Sequence, residues 1–362
     1  MSDNLLLRHS QVFNQRMTFL RASRLSFAPF FGTAEQGSSR ICVELQEESV
    51  TAGQILNGAI FIELKNVLTF CDLTVASTGL EELRVYNSFR LSSEKSGKIF
   101  SFSAKIRYWK ELAPGNYKIP FTLKIPKFCP ATFYYSDEDH DKNYIKSSIS
   151  YFLTCILTTK ETELCQHTHL IVKSQKSLIP CFEELEKKGE IRSCLCWTSG
   201  HSVFFIQPKS KQNISVNGTF EYKLLINNFD CSKPVNSICS QIVRVLKFRS
   251  NRQEFKVKNI LSRIHRKVDV PAKSGIFDSP DFLFNHDLKM GSEDFNTSST
   301  EGKVIICQFF LEVFVFYTGK FKNRPFVLLV DLHVNPDIGV LESCQLPVVY
   351  QEEPPVNLLI ED

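Results

Sequence analysis

From Ile41 onward the chain alternates apolar and polar residues with a period of two, and that alternation confines it to folds built from half-buried β-strands. Ile41-Cys42-Val43-Glu44-Leu45 reads as a strand and Thr51-Ala52-Gly53-Gln54 as a turn. Ile55 to Leu64 follows, with Ile60, Ile62 and Leu64 on one face and Phe61 and Glu63 on the other. Leu73 to Val85 (interrupted at Ser77-Thr78-Gly79), Lys98 to Trp109, Asn116 to Ile125 and Ser147 to Leu157 continue the pattern. No long segment before residue 180 carries a 3.6-residue period. Short strands separated by turn residues mark a sandwich or barrel.

A polar stretch then breaks the rhythm: Ser174-Gln175-Lys176-Ser177, Pro180, and Glu183 to Gly189. Its composition is that of a linker between two β-rich halves. Alternation resumes at Ser202–Gln207, Thr219–Asn227, Val235–Phe248, Lys303–Tyr317 and Pro325–Val334. Residues 272–302, rich in Ser, Asp, Asn and Gly, read as a long surface loop with at most a short helix. Each half opens with a strand, a Gly-containing turn (Gly53-Gln54, Asn217-Gly218) and a strong alternating strand. This is a weak repeat of about 160 residues that argues for duplication. The expected organisation is a flexible basic arm at 1–38, a sandwich at 39–173, a linker at 174–190, a second sandwich at 191–350 and a flexible tail at 351–362.

The chain has 362 residues, long enough for two ordinary domains, and its 31 Phe suit sheet-to-sheet cores because the ring needs no hydrogen-bond partner. A net charge of +4 does not force a nucleic-acid reading. The twelve cysteines, spread from Cys42 to Cys344, have no framework spacing, so the expectation is reduced thiols and a cytoplasmic protein. No apolar stretch reaches the roughly 18 residues a membrane span needs, and residues 1–34 hold no charged region followed by a sustained apolar stretch, so a secretory signal is not expected. The first 34 residues carry Arg8, Arg16, Arg21 and Arg24 against Asp3. That composition overlaps with mitochondrial presequences, and equally fits a basic arm with Ser23 and Ser26 as phosphorylation sites; the plain arm is favoured.

Several segments resemble the arrestin superfamily, within it the arrestin-domain-containing (α-arrestin-like) branch. Glu47 to Gly58 is similar to the family's opening turn and strand, and Gly79 with Glu82 lies near its Gly-x-Glu strand. The strongest match is Leu112-Ala113-Pro114-Gly115-Asn116-Tyr117-Lys118-Ile119-Pro120-Phe121-Thr122-Leu123-Lys124-Ile125-Pro126, followed by Cys129-Pro130-Ala131-Thr132-Phe133 and Ile149 to Leu153. Gly218-Thr219-Phe220, Ile226-Asn227-Asn228 and Ile305 to Phe316 resemble the C-domain. The likeness covers about residues 41–350 and implies two tandem immunoglobulin-like (arrestin-type) β-sandwiches. It also implies an adaptor or scaffold in trafficking, endocytosis or signalling. Its partners would be cytoplasmic segments of membrane proteins, phosphoinositides or an anionic membrane surface, and ubiquitin-ligase or coat components. The alternative is a constitutive coat-type subunit like the arrestin-fold subunit of retromer. The chain departs from the family's ligase-recruiting Pro-Pro-x-Tyr: Pro354-Pro355 leads to Val356-Asn357, and Tyr350 precedes the prolines. Leu358-Leu359-Ile360-Glu361-Asp362 nears a clathrin-box pattern, with Glu361 where an apolar residue is wanted.

No catalytic motif emerges: there is no Gly-x-Ser-x-Gly elbow, P-loop or Gly-x-Gly-x-x-Gly, and the chain is read as a non-enzyme without cofactor or metal. Cys194-x-Cys196 with Cys181 lacks a second pair at zinc-ligand spacing. Cys165, His167 and His169 share one strand face, the ordinary reading being histidines in a partly exposed strand. Asp137-Glu138-Asp139-His140-Asp141 lacks EF-hand spacing and reads as a solvated acidic loop. The cluster with content is basic. Arg244, Lys247, Arg249, Arg252, Lys256, Lys258, Arg263, Arg266 and Lys267 contain a single acid among them, Glu254. If Val243–Phe248 and Phe255–Ile260 are adjacent antiparallel strands, Arg244 falls beside Lys256 or Lys258. The expected anionic-lipid or phosphate site is then Arg244, Lys247, Arg249, Lys256, Lys258 and Arg263. A solvated basic surface is the competing reading. The resemblance adds that arrestins place an inositol-polyphosphate site in this part of the C-domain. No aromatic platform accompanies the charge, so nucleic acid fits poorly.

Overall fold

The computed structural model describes residues 39–87, 90–137, 143–178, 184–194, 197–210, 214–250, 254–275, 279–288, 297–318, 325–336 and 350–358. The fold is all-β. The first half holds β1 (Arg40–Leu45), β2 (Val50–Thr51), β3 (Ile55–Leu64), β4 (Leu68–Asn87) and β5 (Arg90–Leu112). It continues with β6 (Gly115–Lys124), β7 (Phe133–Asp137), β8 (Asn143–Thr158), β9 (Glu163–Leu170) and β10 (Val172–Lys173). The second half begins with β11 (Leu185–Cys194), β12 (Trp197–Pro208), β13 (Ile214–Ser215), β14 (Thr219–Asn227), β15 (Val235–Arg249) and β16 (Glu254–Val270). It ends with β17 (Leu283–Asp287), β18 (Thr300–Glu301), β19 (Ile305–Tyr317), β20 (Phe326–Leu332) and β21 (Val334–Asn335). The chain closes with β22 (Gln351–Glu352) and β23 (Val356–Leu358).

The strands sort by sequence into sheets. In the first half, β1-β3-β6 forms one sheet, and β5-β4-β8 with β7 and β9 along β8 forms another. In the second half, β11-β12-β14-β17 forms one, and β16-β15-β19 with β18 and β20 along β19 forms the other. Among the described residues no sheet mixes strands of 40–173 with strands of 185–335. Each half also carries a two-residue parallel pair beside its opening turn: β2 with β10, and β13 with β21. Gly53 (φ +87°) and Asn217 (φ +62°) follow those pairs in the left-handed region. The two turns legible in the sequence thus stand at equivalent places.

Alternation produces this arrangement because one face of each sheet packs on an apolar interior. β6 buries Tyr117, Ile119, Phe121 and Leu123 while the residues between them stay half-exposed. Gly79 does not interrupt β4; it makes room for the Tyr151 ring, whose carbon would lie 2.7 Å from an added Cβ. The Tyr151 hydroxyl donates to the Pro130 carbonyl at 2.6 Å and fixes the irregular 125–132 segment.

Several expectations are corrected. β11 starts at Leu185, inside the stretch read as linker, because Leu185, Lys187 and Gly189 find partners across β12. The 272–302 stretch is not a free surface loop. It contains a short 310 turn (Pro280–Phe282) and β17, and Thr297, Ser298, Ser299 and Thr300 are buried. Cys42, on the outer face of β1 beside Ala59 and Phe61, is disulfide-bonded, against the expectation of reduced thiols, whereas Cys71, Cys155, Cys165, Cys231 and Cys239 are free thiols. The basic arm, Ser23, Ser26, most of the acidic loop at 137–141, Arg252, Cys181 and Cys196 lie outside the described residues. Among the described residues no helix is long and apolar enough to cross a membrane.

Candidate functional site

The predicted hairpin forms. β15 pairs with β16 on one side and with β19 on the other, both antiparallel. Lys247 stands opposite Lys256, Val245 opposite Lys258, Gln241 opposite Arg263 and Arg249 opposite Glu254. Arg244 does not join them. It lies opposite Asn259, three positions from Lys247 and hence on the other face, and is 2% exposed. Its guanidinium carbon sits 5.4 Å from the Tyr135 ring centroid, and Tyr135 stacks on Phe248 at 5.5 Å. Arg244 is therefore withdrawn from the surface site and becomes part of the packing between the two halves.

The structure also adds an acid that the local run of residues could not reveal. Glu312 on β19 accepts from Lys258 Nζ at 2.9 Å and from Gln241 Nε2 at 2.6 Å, and Arg263 Nε donates to Gln241 Oε1 at 2.9 Å. Arg249 faces Glu254 at 3.6 Å. Lys258, Arg263 and Arg249 are thus already engaged, while Lys247 and Lys256 make no ion pair among the described residues. Of the residues expected to form an anion site, Lys247 and Lys256 are the two that share one face without an ion pair among the described residues.

Between the halves lies a polar seam. The Glu81 carboxylate on β4, 3% exposed, accepts the backbone N–H groups of Lys303 (3.1 Å), Val304 (2.9 Å) and Ile305 (2.8 Å). Beside it, the hydroxyls of Thr297, Ser298 and Thr300 donate to the carbonyls of Tyr134, Thr132 and Ala131. Sequence reasoning drew attention to Glu82; the buried anchor is its neighbour, facing the opposite side of β4.

The surface that sequence reasoning missed is the far edge of β6. β22 and β23 add to it in parallel, pairing Gln351 with Tyr117, Glu352 with Lys118, Val356 with Phe121 and Leu358 with Leu123. Leu358 is 3% exposed. The Thr122 hydroxyl donates to Asn357 Oδ1 at 2.7 Å, and Arg107 donates to the Pro354 carbonyl at 2.7 Å. Lys118 pairs with Glu352 at 3.3 Å, which raises its pKa, and lies 5.0 Å from the Tyr350 ring centroid. The expected flexible tail is corrected over residues 351–358. The first leucine of the clathrin-box-like sequence is buried against β6, not presented to solvent. The alternation of Val356, Asn357 and Leu358 was the available signal, too short to count as a strand alone.

The remaining candidates resolve simply. Cys165 Sγ lies 3.4 Å from His167 Nε2, Thr154 Oγ1 lies 2.9 Å from His167 Nδ1, and His169 packs on Phe152 at 4.6 Å. Burial lowers the His169 pKa and raises that of the Cys165 thiol, which weakens it as a nucleophile at neutral pH. No group of three potential metal ligands occurs among the described residues. In the second half, Ser240 Oγ accepts from the Tyr222 hydroxyl at 2.6 Å and lies 2.7 Å from His286 Nε2, while His286 Nδ1 lies 3.0 Å from Ser262 Oγ. This Ser–His contact is sealed in the interior, Ser240 and His286 both being fully buried.

In comparison with known proteins, no family model and no curated protein matches the chain.

Proposed function

We propose that the chain is an arrestin-like cytosolic adaptor: two tandem immunoglobulin-like sandwiches that hold extended cytoplasmic segments of membrane proteins. The observation that carries this reading is the β6 edge, which takes a strand from the chain's own C-terminus. Main-chain pairing gives such an edge affinity for any extended segment, and the contacts made by alternate side chains give it selectivity. The tail's contacts define the kind of segment it accepts: an apolar residue where Leu358 sits, an acid beside Lys118, and an acceptor opposite Thr122. In this reading Lys247 and Lys256 supply a small cationic point for lipid or phosphate headgroups, which keeps the protein peripheral to a membrane.

The test uses the chain shortened after Val349 and a labelled peptide of residues 350–362. The shortened chain is expected to bind the peptide, and a panel of cytoplasmic segments from membrane proteins is expected to contain competitors. Binding of the peptide with no competitor among them would reduce the β6 edge to a purely structural seat for the tail and remove the adaptor reading.

A further inference from the structure

Along β16 the side chains divide by parity. Lys256, Lys258, Arg263, His265 and Lys267 are exposed on the outer face, with Ile260 among them and the acids Glu254 and Asp269 at its two ends. Phe255, Val257, Ile264 and Val268 face inward, half-buried, packed against the core. β16 ends its sheet: β15 fills one edge, and no described strand pairs with the other. Leu261 is an extra residue between the Ile260–Val243 and Ser262–Ile242 pairs, so it bulges. Beyond it, Arg266 donates to the carbonyls of Pro280 and Asp281 and ties that end to the 310 turn. The regular open run is therefore Glu254 to Ile260.

Lysines on an edge strand normally guard it against indiscriminate pairing. That role accounts for the outer face and leaves the inner one unexplained, because Phe255 and Val257 remain half-covered where one more strand would cover them. The cations also do not converge. Lys256 and Lys258 stand two residues apart, as do Arg263, His265 and Lys267 beyond the bulge, roughly 7 Å per step along a line. One phosphate would meet one or two of them, whereas an extended chain with an acid at every second position meets the row.

We propose that the open edge of β16 binds an extended segment of a partner protein that alternates acidic with apolar residues. One acid lies beside Lys256, which makes no ion pair among the described residues, and the next beside Lys258, which shares its charge with Glu312; its apolar residues lie beside Phe255 and Val257, and its backbone completes the ladder. This site is on a different sheet from β6, and the inference does not rest on the adaptor reading.

The probe is a short synthetic strand alternating glutamate with valine, added to the full chain and followed by fluorescence anisotropy and amide hydrogen exchange. Expected are saturable binding and slowed exchange over Glu254–Ile260. The Lys256→Glu/Lys258→Glu chain should lose affinity by about tenfold or more and instead take up the same strand with lysine in place of glutamate. That exchange of preference shows that the variant is folded. A peptide of the same composition with its glutamates in one block should bind weakly. Equal binding of the block peptide, or slowed exchange elsewhere than β16, overturns the proposal. So does binding of the wild-type chain to phosphatidylserine vesicles with none to the alternating strand, which would assign the row to a lipid surface.

Discussion

Leu358 lies directly across from Leu123 in a parallel ladder, so the last described strand of the chain extends a sheet whose other strands come from its first third and from β22. The seat is apolar: Leu358 is buried with Leu123 and Phe121 in the interior cluster. Leu358→Ala should weaken tail docking by about 2 kcal/mol, near the lower end for a buried leucine because Asn357 beside it is exposed and Val356 only half-buried. Amide exchange is expected to quicken at Tyr117–Leu123 and at 356–358, with little change in β15 or β19. Unchanged exchange along β6 would mean that the tail contributes nothing to that edge.

Glu81 sets the relation between the halves through three backbone donors. A carboxylate accepts all three; in Glu81→Gln the amide nitrogen must face at least one N–H, leaving a buried donor without a partner. The expected loss is about 2 kcal/mol in denaturant unfolding. A Glu82→Gln control should sit within about 0.5 kcal/mol of wild type, because that side chain is half-exposed on the other face. Equal effects at the two positions would show that the seam does not depend on the buried carboxylate.

Most of the strand framework was legible, because a period of two is a local signal that survives in residues such as Ile60, Ile62 and Leu64. What could not be read depended on register or on distant partners. Two adjacent antiparallel strands predict Arg244 beside Lys256 or Lys258; the register sets it opposite Asn259, and its parity, three positions from Lys247, sends it inward over Tyr135. Glu312, Glu81 and the Thr297–Thr300 hydroxyls act on groups far along the chain, so no local pattern announces them. The tail failed for another reason. Val356–Leu358 is too short to read as a strand until the β6 edge is there to receive it.

Burial holds His286 at about 4, well below its ordinary 6.5, and does the same for His333, where the nearby Lys176 charge adds to the effect. Both rings are neutral in the folded chain at neutral pH and gain protons on unfolding as the solution is acidified. The stability they contribute is whole above 6.5 and is lost as pH falls from 6.5 through 4. Urea midpoints should drop between about pH 7 and about pH 5, a window in which most carboxylates keep their charge. His286→Asn is expected to lower stability at both values while shrinking the difference between them. A pH slope identical to wild type would show that His286 is not one of the groups responsible.

Lys247 and Lys256 face each other across the β15–β16 ladder with no acid to separate them. Like charges directly opposite destabilise a sheet, so the pair persists at a cost to the hairpin. Lys256→Glu converts repulsion into attraction and should raise stability by about 0.5 kcal/mol while weakening attachment to anionic vesicles. Lys258→Glu should do the reverse to the fold, because Lys258 already pairs with Glu312 and the substitution sets two acids together. Melting temperatures of the two variants are thus expected to move in opposite directions from wild type. If Lys256→Glu instead lowers the melting temperature, the pairing of these two lysines across the ladder is not what governs this edge of the sheet.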